Sequence, residues 1–224
     1  MTADFIIKRR WYTLFSVILL SIVFSFLAYA YTFTSAKFVW VGKNFYFLVS
    51  ADTHIQSTAH AARLDGGAGY LFTDGERDYI AYSVYLTEDI GYIAQAGLKE
   101  NVLLVSKQVE YLVFKGKHKK KSQLYCGAFH TLYSCIEVLS QCISMLENGA
   151  IQQRCKRILK VLESQFAYMA NLYEKEYSAF SIACKTLYDK LSLITKNVLF
   201  CNDLRYLLCV ACDVYLQLTE IFSL

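Results

Sequence analysis

The sequence contains no proline, and residues 122–224 contain only two glycines, so long helices can run uninterrupted there. No N-x-[ST] triplet occurs, which disfavours a glycosylated secreted protein. Charged residues make up only 19% of the chain, against 55% hydrophobic residues. This balance excludes a disordered protein and predicts a folded one with one or two domains.

Nucleotide-binding signatures are also missing. The glycine-rich stretch ARLDGGAGYLF, residues 62–72, contains neither GxGxxG nor GxxxxGK[ST]. A phosphate-binding loop follows a strand and opens a helix, so that amides at the helix N-terminus face the phosphate. Here the preceding residues are typical of a helix, and the following residues 70–72 are typical of a strand. The glycines are therefore predicted to end a helix with a left-handed cap.

No catalytic or metal-binding constellation is found in the sequence. The four histidines are scattered without an HExxH motif, and no serine or cysteine lies in a recognisable nucleophile motif. Cys209-x-x-Cys212 has metal-like spacing but no second pair of ligands nearby. We therefore expect a protein that is not an enzyme, with no catalytic residue, metal or cofactor. An envelope hydrolase with an unfamiliar site is the least favoured alternative.

The strongest single signal lies at the N-terminus. The basic triplet at residues 8–10 precedes WYTLFSVILLSIVFSFLAYAYTF, residues 11–33, which lacks charge, glycine and proline. About 20 such residues cross the hydrocarbon core of a bilayer. The flanking positive charges predict a cytoplasmic tail (1–10), one transmembrane helix in the cell membrane and extracytoplasmic domains after it. The alternatives are a buried helix and a signal peptide cleaved after Ala30, at the A-x-A site of residues 28–30.

Charge is distributed unevenly along the rest of the chain. Residues 42–114 carry five basic and nine acidic side chains, whereas residues 122–224 carry nine of each. Between them, KGKHKKK at residues 115–121 contains five lysines. Nucleic-acid binding requires a broad basic face with interleaved aromatic residues, so we expect no nucleic-acid partner. The lysine run is interpreted as a solvated basic linker between two domains.

All eight cysteines lie in the second half of the chain. They are Cys126, Cys135, Cys142, Cys155, Cys184, Cys201, Cys209 and Cys212. Most of them fall on the apolar stripes of predicted helices, where free cysteine acts as a small buried hydrophobic residue. We expect most of them to be unpaired, with disulfides as the alternative outside a membrane.

Residues 42–114 alternate between element types in the order βαββαβ. This order predicts a ferredoxin-like α+β sandwich with both helices on one face of a four-stranded sheet. Asp52 or Thr53 is expected to cap the first helix, and Thr87 the second. The expected elements are strand 45–50, helix 51–64, strand 69–72, strand 77–86, helix 88–98 and a fourth strand within 101–114.

After the lysine run, the hydrophobic period changes from two residues to 3.6. Apolar stripes at helical spacing cover residues 124–146, 151–173, 180–198 and 204–222. The first stripe is expected to end at Asn148-Gly149. The second and third are either one long helix or two helices with a break near residues 176–178. Residues 122–224 are therefore predicted to form an all-α antiparallel helical bundle or hairpin.

Residues 44–114 resemble the SPOR (sporulation-related repeat) domain. The matching segments are FYFLVSADT, AARLDGGAGYLF, DYIAYSVYL and EDIGYIAQAG. Leu48 and the strand ending Ser83-Val84-Tyr85 depart from the family pattern. Together with one N-terminal anchor, the chain is similar to exported SPOR-like proteins of sporulating Gram-positive, clostridial-type bacteria. SPOR domains bind peptidoglycan glycan strands on the bare face of their sheet.

Strand alternation divides the residues of this sheet between two faces. One set is expected to point to the two helices: Phe45, Phe47, Val49, Ile80, Tyr82 and Val84. The opposite face then carries Ala81 and the six residues of a candidate glycan site: Tyr46, Leu48, Ser50, Tyr79, Ser83 and Tyr85. Alternatively, this face is covered by the helical half of the chain or by a second copy.

These expectations favour a membrane-anchored extracytoplasmic protein that binds peptidoglycan in envelope, division or sporulation processes. The alternative is a non-catalytic scaffold that binds another envelope or divisome protein without binding glycan. In both cases the N-terminal helix contacts the membrane. The helical domain is then available for a protein partner or for homo-oligomer formation.

Overall fold

A computed structural model of the chain describes residues 36–39, 42–50, 55–73, 75–98, 102–109, 112–115 and 119–223. The predicted cytoplasmic tail, the predicted span and the middle of the lysine run lie outside these residues. The described part is an α+β structure with a four-stranded antiparallel sheet, a two-stranded ribbon and six helices. None of the helices in these ranges has the length and apolar character that crossing a membrane requires.

The elements of the first half alternate as the sequence predicts. The order βαββαβ is confirmed, and the chain adds a strand on each side of it. The bounds are β1 Ala36–Val39, β2 Lys43–Ser50, α1 Ile55–Leu64, β3 Tyr70–Thr73, β4 Asp78–Tyr85, α2 Glu88–Ala96, β5 Val102–Val109 and β6 Leu112–Lys115.

The four-stranded sheet has the order β3-β4-β2-β5, with every neighbouring pair antiparallel. Each βαβ unit is therefore split, because a strand of the other unit lies between its two strands. β1 and β6 form a separate antiparallel ribbon. Only one strand was expected within residues 101–114, because the partner of β6 lies far away in the sequence.

The glycine-rich turn ends α1 as predicted. The amide of Gly66, which has φ +84°, donates to the carbonyl of Arg63, and the amide of Gly67 donates to the carbonyl of Ala62. These two bonds form a Schellman motif, in which the residue in the left-handed conformation is usually glycine. Thr87 precedes α2 in an extended conformation, but its hydroxyl makes no capping hydrogen bond.

The second half forms four long helices. They are α3 Lys119–Glu147, α4 Gln152–Tyr173, α5 Ser178–Lys196 and α6 Cys201–Ser223. Neighbouring contacts run from α3 to α4, α4 to α5, α5 to α6 and α6 back to α3, so the helices close into a four-helix bundle. The second and third apolar stripes are therefore two helices. α3 begins at Lys119, within the run that the sequence analysis treats as a linker.

The predicted apolar stripes provide most of the bundle core. Buried members include Leu132, Phe166, Phe180 and Leu208. The stripe positions at the helix ends are exceptions, since Ile151 is 77% exposed and Val198 is 55% exposed. Both residues lie just outside the helices, because α4 begins at Gln152 and α5 ends at Lys196, so helical periodicity does not apply to them.

Helix α6 joins the bundle to the sheet. Its residues from Leu207 to Cys212 are all buried, so it has no solvent-facing side along that stretch. It contacts β3, β4 and β6 as well as α3 and α5. The ring of Tyr215 lies 5.4 Å from that of Phe45 on β2 and 5.3 Å from that of Phe129 on α3. One hydrophobic core therefore contains residues of both halves.

The predicted orientation of the sheet is wrong. The face carrying Phe45, Phe47 and Val49 packs against the bundle, and α1 and α2 cover the opposite face. A Cβ on Gly91 of α2 would lie 2.9 Å from Leu104, which pairs with Leu48. Strand alternation separates two faces but does not identify their neighbours, and here both faces are covered.

A β-bulge accounts for a second error, which concerns the faces assigned to Ile80 and Ala81. Leu48 pairs with Ser83 while Val49 pairs with Ala81, so Tyr82 is an extra residue on β4. Such a residue shifts the alternation of the strand beyond it. Ala81 therefore lies on the face of Val49, and Ile80 on the other face, the reverse of the prediction. Tyr79 also lies on the Phe45 face, where its partner Phe72 stacks on Phe47.

Candidate functional site

An opening beside the sheet forms a groove between β2, β4, α2 and the turn after α1. Its volume is about 270 Å³. The groove combines an apolar side with tyrosine, serine, aspartate and arginine side chains. Its lining residues are Leu48, Asp65, Gly67, Tyr82, Ser83, Tyr85, Ile93, Ala94, Gly97, Leu98 and Arg205.

Three of the six predicted site residues meet at this groove. Leu48, Ser83 and Tyr85 line it, but Leu48 is only 1% exposed and Ser83 only 5% exposed. The predicted open, aromatic sheet face is therefore wrong for these two positions, because α2 lies above them.

The other three predicted residues lie outside the groove lining. Ser50 is buried at the far end of β2, and Tyr79 lies against the core on the opposite face. Tyr46 is half-buried and pairs with Tyr85 across the two strands. The predicted set is therefore divided between the groove, its margin and the opposite face.

The Tyr85 hydroxyl interacts with two polar side chains of the groove, Ser83 and Arg205. Burial raises the pKa of Tyr85, while its hydrogen bond with Ser83 and the charge of Arg205 act in the opposite direction. A neutral tyrosine hydroxyl can both donate and accept a hydrogen bond. The site is thus able to hydrogen-bond a neutral polar ligand at neutral pH.

Arg205 joins the groove to two distant parts of the chain. Its Nη1 donates to the carbonyl of Gly66 in the turn after α1, and its Nη2 donates to Glu147 Oε1 at the end of α3, at 2.5 Å. Charge-assisted bonds of this kind are roughly twice as strong as neutral ones. Arg205 therefore holds the turn, α3 and α6 in one arrangement.

We expect Arg205→Ala to lower the free energy of unfolding by about 1–2 kcal/mol, because it leaves the Gly66 carbonyl and Glu147 without their donor. The matched control is Arg63→Ala, which breaks the Arg63–Asp203 ion pair at 2.6 Å. The Arg63 side chain is 43% exposed, against 23% for Arg205, so its ion pair should contribute less than about 1 kcal/mol. Urea unfolding of both variants measures the difference, and equal losses would contradict the role of Arg205.

A second polar contact fixes α6 against the edge of the sheet. The Tyr70 hydroxyl on β3 donates to Asp213 Oδ2 at 2.5 Å, and the Tyr70 ring lies 5.5 Å from that of Tyr206. Burial, followed by this hydrogen bond to Asp213, raises the pKa of Tyr70. The contact therefore stays intact at neutral pH.

The cysteines are free in the structure, and six of the eight are buried. Burial raises the pKa of Cys135 to about 12 and that of Cys142, which also faces Cys155, to about 11. Among the described residues, no three histidine, cysteine or acidic side chains group together to hold a metal ion. These thiols therefore act as packing groups inside the bundle.

We expect Ellman titration of denatured, unreduced protein to count most of the eight cysteines. In the folded protein the half-buried Cys126 and Cys201 should react first, because the reagent reaches them while the other six thiols are buried. The double variant Cys126→Ser/Cys201→Ser should lack the fast phase. A count near zero in denaturant would show disulfides and overturn the expectation.

The outer side of α2 is apolar and exposed. Ile90 and Tyr92 are each 54% exposed, Ile93 is 73% exposed, and Leu98 beyond the helix is 43% exposed. Ile93 and Leu98 also line the groove, so this apolar surface continues into it. Grouped apolar side chains on a surface mark contact sites more often than isolated ones do.

No family model, curated protein or solved structure matches the chain. Its function is therefore inferred from the residues described above.

Proposed function

We propose that the chain is a membrane-anchored, non-catalytic scaffold that binds another envelope or divisome protein through the outer side of α2. The observation that carries this proposal is the coverage of both sheet faces. Phe45, Phe47 and Val49 are fully buried against the helical half, so the chain has no bare sheet face there to hold a glycan strand. On the helices that cover the other face of the sheet, exposed apolar side chains are grouped on α2, at Ile90, Tyr92 and Ile93.

The membrane anchor in this proposal rests on residues 11–33. Their length, lack of charge and N-terminal positive flank favour one span with the folded part outside the cell membrane. A reporter that is active only outside the cytoplasm should therefore be active when it is fused after residue 224. A reporter that is active only in the cytoplasm should be inactive at the same position. An intact mass that begins at Tyr31 would replace the anchor with a cleaved signal peptide.

Photo-crosslinking in cells tests the scaffold. A photoreactive phenylalanine analogue replaces Tyr92 on α2 or, as the matched control, Tyr168 on α4, which is 59% exposed. We expect a discrete protein adduct from position 92 and none from position 168. Adding Ile93→Glu should abolish the adduct, because a charge at an apolar contact must be desolvated. The same adducts from both positions would contradict the proposal.

Glycan binding is the second candidate, and the groove favours it. The strand order β3-β4-β2-β5 supports a ferredoxin-like fold, and the resemblance to SPOR domains implies a peptidoglycan ligand. Tyr82 and Tyr85 could contact sugar rings while Asp65 and Arg205 hydrogen-bond hydroxyl groups. A glycan would then enter between α2 and the turn after α1, at the groove instead of an open sheet face.

A sacculus pull-down with the whole chain tests this candidate. Asp65→Asn keeps the shape of the side chain and should weaken binding roughly tenfold, the effect of losing one charged hydrogen bond. Asp78→Asn, another exposed acid on the same half, is the control and should bind as the parent does. If the parent protein does not sediment with sacculi, glycan binding is excluded and the scaffold proposal stands alone.

A further inference from the structure

The β1–β6 ribbon places Lys115, the first lysine of the run, beside Ala36, which follows the predicted span in sequence. In the register of the ribbon, Ala36 pairs with Lys115 and Val39 pairs with Leu112. Ala36 is thus the first described residue of the ribbon, and its partner is the first lysine of KGKHKKK. Two regions that are some 80 residues apart in sequence meet at one end of the ribbon.

The distance to a membrane follows from chain length. Phe33 ends the apolar segment, and three residues of extended chain span at most about 11 Å to Ala36. Antiparallel partners lie about 5 Å apart, so the backbone of Lys115 lies within about 16 Å of the last apolar residue. The headgroup layer on each side of a bilayer is itself several ångströms thick. Lys115 is therefore held at the membrane surface if residues 11–33 cross the membrane.

The lysines that follow are held near the same place. α3 begins at Lys119, and Lys120 and Lys121 continue its first turn. The ribbon also contacts α3 and α6, so its position relative to the bundle is fixed. No acidic residue occurs between Lys115 and Lys121 in the sequence, and β1 contributes Lys37 opposite Phe114. The result is a concentration of positive charge where the chain meets the bilayer.

We propose that Lys115, Lys119, Lys120 and Lys121 form a membrane-contact site for anionic phospholipid headgroups. The proposal rests on the membrane anchor of the proposed function. Lysines attract an anionic lipid surface within about a Debye length, and their effects accumulate. The site orients the folded part on the bilayer, with the ribbon as its base. These four lysines then contact lipid instead of belonging to a solvated linker.

The test uses the full chain reconstituted in bilayers of phosphatidylcholine alone or of phosphatidylcholine mixed with phosphatidylglycerol. Hydrogen–deuterium exchange of peptides that cover residues 112–123 is the measurement. Anionic lipid should slow this exchange at least about tenfold, because each lysine near such a surface strengthens the attraction roughly fivefold. High salt should remove the effect.

Two variants of equal charge separate the site from a general charge effect. K115Q/K119Q/K120Q/K121Q should lose the protection, whereas R154Q/K156Q/R157Q/K175Q, on and after α4, should retain it. Equal exchange in the two bilayers, or equal losses in the two variants, would overturn the proposal. Equal protection by inorganic phosphate without a bilayer would also overturn it, by showing simple anion binding.

Carbonate extraction distinguishes failure of the lysine site from failure of the membrane anchor. A chain that alkaline carbonate releases from the bilayer is not integrated, so the anchor and the lysine site both fail. A chain that stays integrated but shows no dependence on phosphatidylglycerol overturns the lysine site alone.

Discussion

Phe45→Ala is expected to lower the free energy of unfolding by about 3–5 kcal/mol, and to destabilise the sheet and the bundle together. The Phe45 ring is fully buried and lies 5.4 Å from Tyr215 and 6.2 Å from Tyr133. Its removal leaves a cavity between β2 and the two helices α3 and α6. A loss of this size is a large part of the 5–15 kcal/mol that stabilises an ordinary domain.

The joint loss is what distinguishes one core from two domains. Hydrogen exchange should show the same decrease in opening free energy at β4 and at the Phe180 end of α5 in the variant. Tyr168→Ala, which removes an exposed ring, is the control and should change stability by less than about 0.5 kcal/mol. A shift confined to the sheet would show that the halves unfold independently.

Much of the first half was predictable because its signals are local. The turn after α1 and the order βαββαβ depend on neighbouring residues, and both are present. The sheet faces were not predictable, because the elements that cover them are determined by contacts with residues far away in the sequence. FYFLVS is apolar on both sides because α2 covers one side and α6 the other, and such a strand has no period that identifies its neighbours.

The candidate groove depends on contacts between residues that lie far apart in the sequence. Tyr82 was grouped with Phe47 and Val84 because a bulge leaves no mark in the sequence of β4. Arg205 was not singled out because it lies 139 residues from Gly66, whose carbonyl it binds. A lone arginine in a buried helix was the available signal, since such a charge requires partners. The identity of those partners depends on the docking of α6.

Gly69→Ala is expected to be the most damaging substitution in the glycine-rich turn. Gly69 has φ +60°, and a Cβ there would lie 2.6 Å from the carbonyl oxygen of Ala59 and 2.6 Å from Cγ of Arg63. The left-handed conformation costs a residue with a Cβ about 1–2 kcal/mol, and overpacking adds about 1–3 kcal/mol. We therefore expect a loss of roughly 2–5 kcal/mol in unfolding free energy.

Gly75→Ala separates the two causes, because Gly75 also has a positive φ, +98°, but among the described residues no atom beyond its chain neighbours lies within 4 Å of the added Cβ. This control should lose only the conformational part, about 1–2 kcal/mol. The excess at Gly69 then measures contact with α1. Because Gly69 joins α1 to β3, relieving the contact must shift the turn that carries Asp65 and Gly67 of the groove. Ligand or partner binding at the groove should therefore weaken in Gly69→Ala and stay unchanged in Gly75→Ala, and equal stability losses would contradict the contact.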